Sequence, residues 1–318
     1  MKILFLVDPI SKLKAQTDTS LALMREAFEH GKQCFLGWAD DVFWNLDSAA
    51  LKAHLVLKSG DQKSLPVLKE AVIQRITDFD LVFIRKDPPF DDSYLRLCWF
   101  LAPFETKVRF SNRPSQLLRY HEKMLPFEAA ASGALDRDDF IPSCISKSSD
   151  EVRSFVENLK ENSVIVKPWL GHGGRDVQLF EKEKLLENLD ALLRSQEEMI
   201  FQAFQEEVKT LGDRRVFFMG GRHVGDFVRL PQSGQHISNI AQGGQALLRP
   251  MNEDEMKLTK KLEHFLSELK IDFAGADLIG ARVNEINITS PTGLLTYKEL
   301  TQQDLCSIYL KHLESEMK

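Results

Sequence analysis

Three oxygen-bearing side chains near the carboxyl end of the sequence could together hold a divalent metal ion. They are Asp277, Glu285 and Asn287, on two short apolar runs, 276–279 and 283–288, around a Gly-Ala-Arg turn that predicts a β-hairpin. Side chains alternate faces along a strand, so Glu285 and Asn287 share a face that Asp277 can approach from the partner strand. Two carboxylates and a carboxamide oxygen favour Mg²⁺ with phosphate oxygens completing its shell. A hairpin with polar residues on its solvent face would have the same spacing.

A glycine-rich segment preceded by a lysine could contact phosphate groups. Lys167 is followed by Pro-Trp-Leu and then by Gly-His-Gly-Gly at 171–174. Glycines let backbone N–H groups approach phosphate oxygens closely, and a nearby lysine neutralises their charge. The G-K-[ST] of a Walker A loop is missing, and a tight hairpin turn explains the same glycines equally well. This segment alone leaves both interpretations open.

Composition limits the classes of protein to consider. The chain has 318 residues, of which 43% are hydrophobic and 28% charged, as in ordinary globular proteins, and a net charge of −6. An acidic balance argues against a general binder of nucleic acid or anionic membranes. The four cysteines form no C-x-x-C pair, and the apolar run 3–7 is too short for a signal peptide or a membrane span. We therefore expect a cytoplasmic protein with reduced thiols and neither nucleic acid nor membrane as a partner.

The first third of the chain alternates apolar strands with helical segments. Strands are predicted at 2–7, 34–38, 81–85 and 108–110, and an amphipathic helix at 19–30. This rhythm predicts an open α/β sheet, with a ligand crevice where strands end, at 8–10 and 86–89. No G-x-G-x-x-G follows the first strand, so a nicotinamide site is not indicated.

Two further units follow a change of character near Pro114. The first has a helical stretch at 115–123, an S-x-x-E capping box at 148–151 before a helix to about 159, strands at 164–166 and 177–180, and a helix at 185–193. The second has strands at 199–201, 215–219 and 223–230, a Gly/Gln/Ser-rich loop at 231–245, and a helix at 253–269 before the hairpin. These elements predict α+β subdomains.

The motifs occur nearly end to end in the order typical of one superfamily. They are V-D-P-I at 7–10, R-K-D-P-P-F-D at 85–91, N-R-P-S-Q-L-L-R at 112–119, H-E-K at 121–123, V-K-P at 166–168, G-H-G-G at 171–174, G-D-R-R-V at 212–216, R-L-P-Q-S-G at 229–234, N-I-A-Q-G-G at 239–244 and N-E-I-N-I-T-S-P-T at 284–292. The chain resembles the ATP-grasp superfamily, and within it the bacterial glutathione synthetase family. The second and the last of these motifs carry most of the specificity.

The resemblance implies a fold and a set of site residues. The fold is α/β plus α+β: a Rossmann-like N-terminal domain at 1–115, a small ATP-grasp subdomain at 116–195 and a large one at 196–318. The implied contacts to ATP are Lys123, Lys167, Gly171, Gly173, Gly174, Gln202, Phe204 and Asp213. Arg215 would stabilise the transferring phosphoryl group, and Arg229 and Asn239 would meet substrate or acyl phosphate. Asp277, Glu285 and Asn287 would hold two Mg²⁺ ions, with Mn²⁺ as an alternative.

The resemblance also implies a reaction, in which ATP activates γ-glutamylcysteine as an acyl phosphate and glycine displaces the phosphate, in a homo-oligomeric enzyme. The loop 231–245 would be the lid over this intermediate. Two positions depart from the family pattern, since relatives usually carry arginine where this chain has Ile237 and Leu295. An apolar side chain cannot give a carboxylate the two-point contact of arginine. A ligase with another acid or amine, and an ATP-binding relative without turnover, therefore stay as alternatives.

Overall fold

The strands form three β-sheets, of eight, four and five strands, in the part of the chain that the structure describes. The structure is a computed structural model, and it describes residues 1–171, 176–194, 198–232 and 243–317. Within these ranges no helix is both long and apolar enough to cross a membrane.

The N-terminal sheet contains the predicted parallel strands and an antiparallel extension. Its strands are β1 (Lys2–Val7), β2 (Gln33–Trp38), β3 (Phe43–Asn45), β4 (Ser48–Lys58), β5 (Val67–Leu68), β6 (Val72–Arg75), β7 (Leu81–Arg85) and β8 (Arg109–Ser111). β1 pairs in parallel with β2 and β7, and β7 with β8, whereas β4 runs antiparallel to β2, β3, β5 and β6. The sequence analysis did not predict β3 to β6, whose residues are partly exposed and lack a continuous apolar run.

Helices α1 (Thr19–Glu29) and α2 (Asp92–Leu101) pack on this sheet, and an aspartate comes directly before each of them. Asp18 and Asp91 accept hydrogen bonds from backbone N–H groups of the first turn, at 2.9 and 3.0 Å, as N-cap residues do. The adjacent ends of β1 and β7 bring Asp8 beside Asp87, whose N–H donates to Asp8 Oδ2 at 2.9 Å. The two segments that were predicted to line a crevice, 8–10 and 86–89, therefore lie at one edge of the sheet.

The segment after β8 is less helical than predicted. Helix α3 (Pro114–Arg119) ends where Tyr120 takes an extended conformation, and α4 (Leu125–Ala131) begins only after a turn. The prediction of a helix through Lys123 is therefore wrong beyond Arg119. Lys123 lies in the turn between the two helices, which frees its side chain from a helix face.

The four-stranded sheet is antiparallel and has two helices on it. It runs β11 (Gln178–Glu181), β10 (Ser163–Pro168), β12 (Met199–Ala203), β9 (Ser143–Ile145), and its helices are α5 (Ser149–Asn158) and α6 (Lys182–Leu193). Only half of the predicted capping box forms. Ser148 accepts from Glu151 N, but the Glu151 carboxylate accepts from Ser146 Oγ at 3.0 Å. The reason is that Ser146 Oγ itself accepts from Ser148 N.

The five-stranded sheet contains the predicted hairpin and has helices on both faces. It runs β15 (Gln245–Leu247), β14 (Arg222–Leu230), β13 (Asp213–Met219), β16 (Phe273–Ile279), β17 (Arg282–Asn287), with helices α7 (Val208–Leu211), α8 (Glu253–Glu268), α9 (Leu294–Thr301) and α10 (Leu305–Glu316). α8 packs on the side of Val216 and Phe218, and α9 and α10 pack on the side of Phe217.

The C-terminal helix joins the two ends of the chain. Tyr309 of α10 lies in the same core as β1 and α1, and its hydroxyl is hydrogen-bonded to that of Ser111. Arg109 makes a two-point ion pair with Asp272, both bonds at 2.7 Å. The N-terminal sheet and the hairpin sheet therefore share one core, which holds the crevice and the hairpin in a defined relation.

Candidate active site

The hairpin brings its three oxygen-bearing side chains together as predicted. Asp277 lies directly opposite Glu285 in the β16–β17 register, and Gly275 lies opposite Asn287. Asn287 Nδ2 donates to Asp277 Oδ2 at 3.4 Å and to Gly275 O at 3.3 Å. Because the amide nitrogen makes these bonds, the amide oxygen is the atom that Asn287 can offer to a cation.

Two arginines converge on Asp277 from neighbouring strands. Arg215 of β13 donates through Nε to Asp277 Oδ1 at 2.6 Å and through Nη2 to Oδ2 at 3.1 Å, and its Nη1 bonds Thr292 O at 2.9 Å. Arg229 of β14 donates to both oxygens of Asp213, at 2.5 and 2.7 Å, and lies 2.9 Å from Asp277 Oδ1. All four side chains are buried. Alternating charges thus form one connected cluster beside the hairpin.

The cluster sets the charge of its carboxylates. Burial opposes ionisation of Asp277, but the two guanidinium groups outweigh it and lower the pKa of this carboxyl group. Burial raises the pKa of Asp213, against the attraction of Arg229. Burial would also lower the pKa of Arg229, yet Asp213 and Asp277 raise it. Of the two carboxyl groups, Asp277 is therefore better kept ionised than Asp213.

The donor set of the hairpin fits Mg²⁺. No group of three His, Cys, Asp or Glu side chains that could hold a metal occurs in the described ranges, so the chain offers no all-protein cage there. Two carboxylates and an amide oxygen instead suit an ion that keeps waters and substrate phosphates in its shell. Arg215, Arg229 and Asn287 already make four contacts to Asp277, about the number of lone-pair sites that an ionised carboxylate offers, so a metal ion there must take the place of one of these donors.

Two lysines face Glu285 across a cleft. The cleft lies between the four-stranded sheet and β17, and Lys123, Lys167 and Glu285 all line it. Lys167 Nζ donates to Gln202 Oε1 at 3.2 Å, and Gln202 Nε2 donates to Ser143 Oγ at 3.0 Å. Lys123 Nζ donates to Pro168 O at 3.1 Å, to Trp169 O at 2.6 Å and to Gly171 O. Burial lowers the pKa of both ammonium groups, while Glu285 raises it.

Gly171 and Phe204, which were also predicted to contact the nucleotide, are not among the residues that line the cleft. Gly171 closes a tight turn, since its N–H bonds Pro168 O at 3.1 Å and a Cβ would come within 2.8 Å of Pro168 Cγ. Phe204 is buried after β12, with Lys209 Nζ 5.1 Å from its ring centroid. Gly173, Gly174, Asn239 and Ile237 lie outside the described residues.

The apolar walls of the cleft were not predicted from the sequence. They come from four separate segments, and their side chains are Pro126, Phe127, Phe140, Ile141, Ile200 and Val283. Ile141 N bonds Val283 O at 3.1 Å, which joins the start of the four-stranded sheet to the hairpin. No spacing within the sequence could have indicated residues that meet only in the fold.

A second missed residue is Glu122, which was quoted in the H-E-K motif without a role. It is 5% exposed and accepts a hydrogen bond from Thr289 Oγ1 at 2.8 Å. Burial, followed by repulsion from Glu285, raises the pKa of this carboxyl group to about 7. Its contact ties the turn that carries Lys123 to the segment after the hairpin.

The neighbouring arginines of the D-R-R-V motif have different environments. Arg214 points to the opposite face from Arg215 and is 1% exposed, where it bonds Glu255 at 3.2 Å, Arg249 O at 2.8 Å and Asp226. Glu255 is equally buried and closes the capping box of α8 with Asn252. Arg214 therefore stabilises the packing of α8 on the sheet.

We expect Arg214→Met to lower the free energy of unfolding by about 3–5 kcal/mol, because it removes the buried cation that lies between the carboxylates of Glu255 and Asp226. Urea denaturation measures this loss. KM for ATP should stay near the wild-type value in the folded protein. A variant that is as stable as the wild type but binds ATP weakly would place Arg214 in the site instead.

Comparisons with known proteins agree with this geometry. The profile of the prokaryotic glutathione synthetase N-terminal domain matches residues 1–119, and that of its ATP-grasp domain matches residues 134–302. A glutathione synthetase of Parasynechococcus marenigrum is 32% identical over 99% of both chains. One of Nitrosomonas europaea is 28% identical over 100% of this chain and 98% of its own.

Solved structures agree on the fold. The D-cycloserine synthetase DcsG superposes with a TM-score of 0.70 at 18% identity, over 99% of this chain and 100% of that one. A RimK domain ATP-grasp protein of Sphaerobacter thermophilus superposes with a TM-score of 0.62 at 12% identity, over 99% and 100% of the two chains. The fold is therefore ATP-grasp with an N-terminal α/β domain. The chain belongs to the prokaryotic glutathione synthetase family and is an ATP-dependent ligase.

Proposed function

We propose that this ligase joins γ-glutamylcysteine to glycine through an acyl phosphate, with ATP as the phosphoryl donor. The observation that carries the proposal is the convergence of Lys123, Lys167 and Glu285 on one cleft, with Asp277 opposite Glu285 on the hairpin. Phosphoryl transfer needs two kinds of group at one place. It needs cations that bind the phosphate oxygens, and it needs oxygen ligands for the metal ion that accompanies them.

In this proposal the cleft binds ATP along its length. The apolar walls, among them Phe127, Ile141 and Ile200, take the adenine, and Gln202 offers polar contacts at its edge. Lys123 and Lys167 then bind phosphate oxygens as point charges. Lys123 must exchange its present bonds with main-chain carbonyls for bonds to phosphate. Gly173 and Gly174 would bring backbone N–H groups to the same phosphates, and Gly171 would join them only on exchanging its bond to Pro168 O. Asp213 and Phe204 would complete the surroundings.

Asp277, Glu285 and Asn287 would hold Mg²⁺ beside these phosphates. When bound, the metal supplies positive charge that offsets the charge of the phosphate oxygens. Arg215 lies beside the same carboxylate, so its guanidinium stabilises charge that develops on the transferring phosphoryl group. The two hydrogen bonds from Arg215 to Asp277 fix the orientation of this guanidinium, so that it does not have to reorganise during the reaction.

Two bond exchanges then make the product. A carboxylate oxygen of the acid attacks the γ-phosphorus, the bond from phosphorus to the ADP oxygen breaks, and an acyl phosphate forms. The glycine nitrogen attacks the acyl carbon, the carbon–oxygen bond breaks, phosphate leaves, and the nitrogen loses a proton. Arg229, whose Nε is buried without a partner among the described residues, offers a donor to the acyl phosphate, and Asn239 would act with it.

A panel of acids and amines tests the proposal. ADP, phosphate and peptide should form in equal amounts with γ-glutamylcysteine and glycine together. ADP formation only with a different acid or a different amine would favour a ligase with other substrates. Absence of ADP with every pair would favour an ATP-binding protein without turnover. We also propose the division at 115 and a homo-oligomeric enzyme, which limited proteolysis and light scattering measure. The division expected at 195 would separate β12 from β10 and β9, with which it pairs, so we place the second division after β12.

A ligase for a different acid or amine is the second candidate, and Leu295 favours it. This side chain is 8% exposed and packs at the start of α9 in the core that contains Phe217 and Phe227. It therefore offers a carboxylate no contact at the position where relatives usually have arginine. If that arginine recognises a substrate, this chain must recognise another group or use another cation.

Leu295→Arg should lower the free energy of unfolding by about 3–5 kcal/mol, because it buries a charge without a partner. Leu295→Met is the matched control and should cost less than about 1.5 kcal/mol. Urea denaturation compares them. An arginine variant that keeps full stability and gains activity with γ-glutamylcysteine would mean that position 295 faces substrate.

A further inference from the structure

Three rings from distant parts of the chain stack beside the cleft. His121 lies nearly parallel to Trp169, with centroids 4.1 Å apart and planes at 15°. Phe90 meets the His121 ring edge-on, at 5.3 Å and 85°. Phe90 belongs to the loop after β7, and Trp169 follows β10. The three rings, Phe90, His121 and Trp169, form an aromatic stack that bridges the N-terminal sheet and the four-stranded sheet.

The aromatic stack is bonded directly to the turn of Lys123. The backbone N–H of Lys123 donates to His121 Nδ1 at 3.3 Å. The Lys123 ammonium donates to Trp169 O, which belongs to the residue whose ring lies on His121. Lys123 is thus attached to this stack through its backbone and through its side chain. Any tilt of the His121 ring would move the backbone from which the lysine projects.

The chemistry of His121 suits this attachment. Burial, with a further contribution from Lys123, lowers the pKa of the imidazole to about 4, so the ring is neutral near pH 7. A neutral ring that accepts at Nδ1 carries its proton on Nε2. It adds no second positive charge beside Lys123, and its flat face packs on the indole. Histidine therefore supplies both an acceptor and a stacking surface.

We propose that His121, clamped between Phe90 and Trp169, is a positioning residue that holds Lys123 for the phosphates of ATP. This inference rests on the proposed role of Lys123 at the nucleotide. It assigns a role in the reaction to Phe90 and Trp169, which do not line the cleft themselves. Loss of the aromatic stack should weaken ATP binding and leave the later chemical steps intact.

The test compares ring removal with ring replacement. Trp169→Leu and His121→Ala should each raise KM for ATP about three- to tenfold, the effect of losing one aromatic pair, with kcat within about twofold of wild type. Trp169→Phe keeps a stacking face and should restore KM to within about twofold. KM for ATP of the double variant should not exceed the higher KM of the two single variants, because both changes remove the same contact. Trp99→Leu, at a tryptophan that is 58% exposed on α2, is the control.

Lys123→Ala separates this inference from the proposed site. If Lys123→Ala weakens ATP binding while Trp169→Leu and His121→Ala do not, the positioning role is wrong and the site stands. If Lys123→Ala binds ATP as wild type does, the role of Lys123 itself is wrong, and the positioning role falls with it. Even if Trp169→Leu lowers thermal stability, two results would overturn the inference. One is additive effects on KM in the double variant, and the other is failure of Trp169→Phe to restore KM.

Discussion

Glu285→Gln should abolish Mg²⁺-dependent ADP formation while the protein stays folded. Glu285 lies opposite Asp277 and faces the two lysines of the cleft, so it is the hairpin carboxylate closest to the proposed phosphates. The amide keeps the shape of the side chain but loses the negative charge that a hard cation needs. A metal ion contributes several kcal/mol of charge stabilisation, so the rate should fall by about two decades or more at about 1.4 kcal/mol per decade.

The measurement is ADP release at several Mg²⁺ concentrations, with thermal unfolding of the same samples. Glu299→Gln makes the same chemical change on the exposed face of α9 and should leave the rate unchanged. A second readout is free of turnover: Mg²⁺ should raise the melting temperature of the ATP complex of wild type but not of Glu285→Gln. Full ADP release from the variant would remove the hairpin from the active site.

Lys167→Ala should weaken ATP binding by about ten- to a hundredfold, since a bond to a charged group contributes about 1.5–3 kcal/mol. Its effect on the unliganded protein should be small or stabilising. Burial lowers the pKa of Lys167 and so works against the charged form in the fold. The cost of burying the charged lysine therefore shrinks, and the folded state gains stability, as pH rises from the lowered folded pKa toward the unfolded one. In this window the unfolded chain binds more protons than the folded one.

Calorimetry with a non-hydrolysable ATP analogue gives the affinity, and thermal unfolding without ligand gives the stability. Lys160→Ala removes an exposed lysine just before β10 and should change neither. Equal affinity in wild type and Lys167→Ala would mean that the segment after β10 is only a turn. Equal losses of affinity and unliganded stability would mean that Lys167 supports the fold rather than the nucleotide.

The hairpin could be predicted because its geometry depends on a short stretch of sequence. Strand alternation fixes the faces of Glu285 and Asn287, and the short Gly-Ala-Arg turn brings the strand of Asp277 alongside them. The meeting of Arg215 and Arg229 on Asp277 could not be predicted from spacing, because it depends on the order β14-β13-β16. The motif order suggested these arginines only through the resemblance to relatives.

Other features depend on contacts that no local pattern contains. The stretch 115–123 resembles a helix in sequence, yet an extended Tyr120 ends that helix and puts Lys123 in a turn. Glu122 gains its raised pKa from burial and from Glu285, more than 160 residues later in the chain. The attachment of α10 to Ser111 likewise depends on packing between the two ends of the chain. Tertiary contacts, which local propensity does not encode, decide all three.

Transfer of oxygen from the acid to phosphate would reveal the proposed acyl phosphate. γ-Glutamylcysteine labelled with ¹⁸O in its reacting carboxylate is incubated with the protein, ATP, Mg²⁺ and glycine, and the released phosphate is analysed by mass spectrometry. An acyl phosphate keeps a carboxylate oxygen in its bridge to phosphorus, and attack by the amine breaks the bond from carbon to that oxygen. The account predicts one ¹⁸O in each phosphate, formed together with ADP and peptide. Peptide accompanied by ADP and unlabelled phosphate would contradict it.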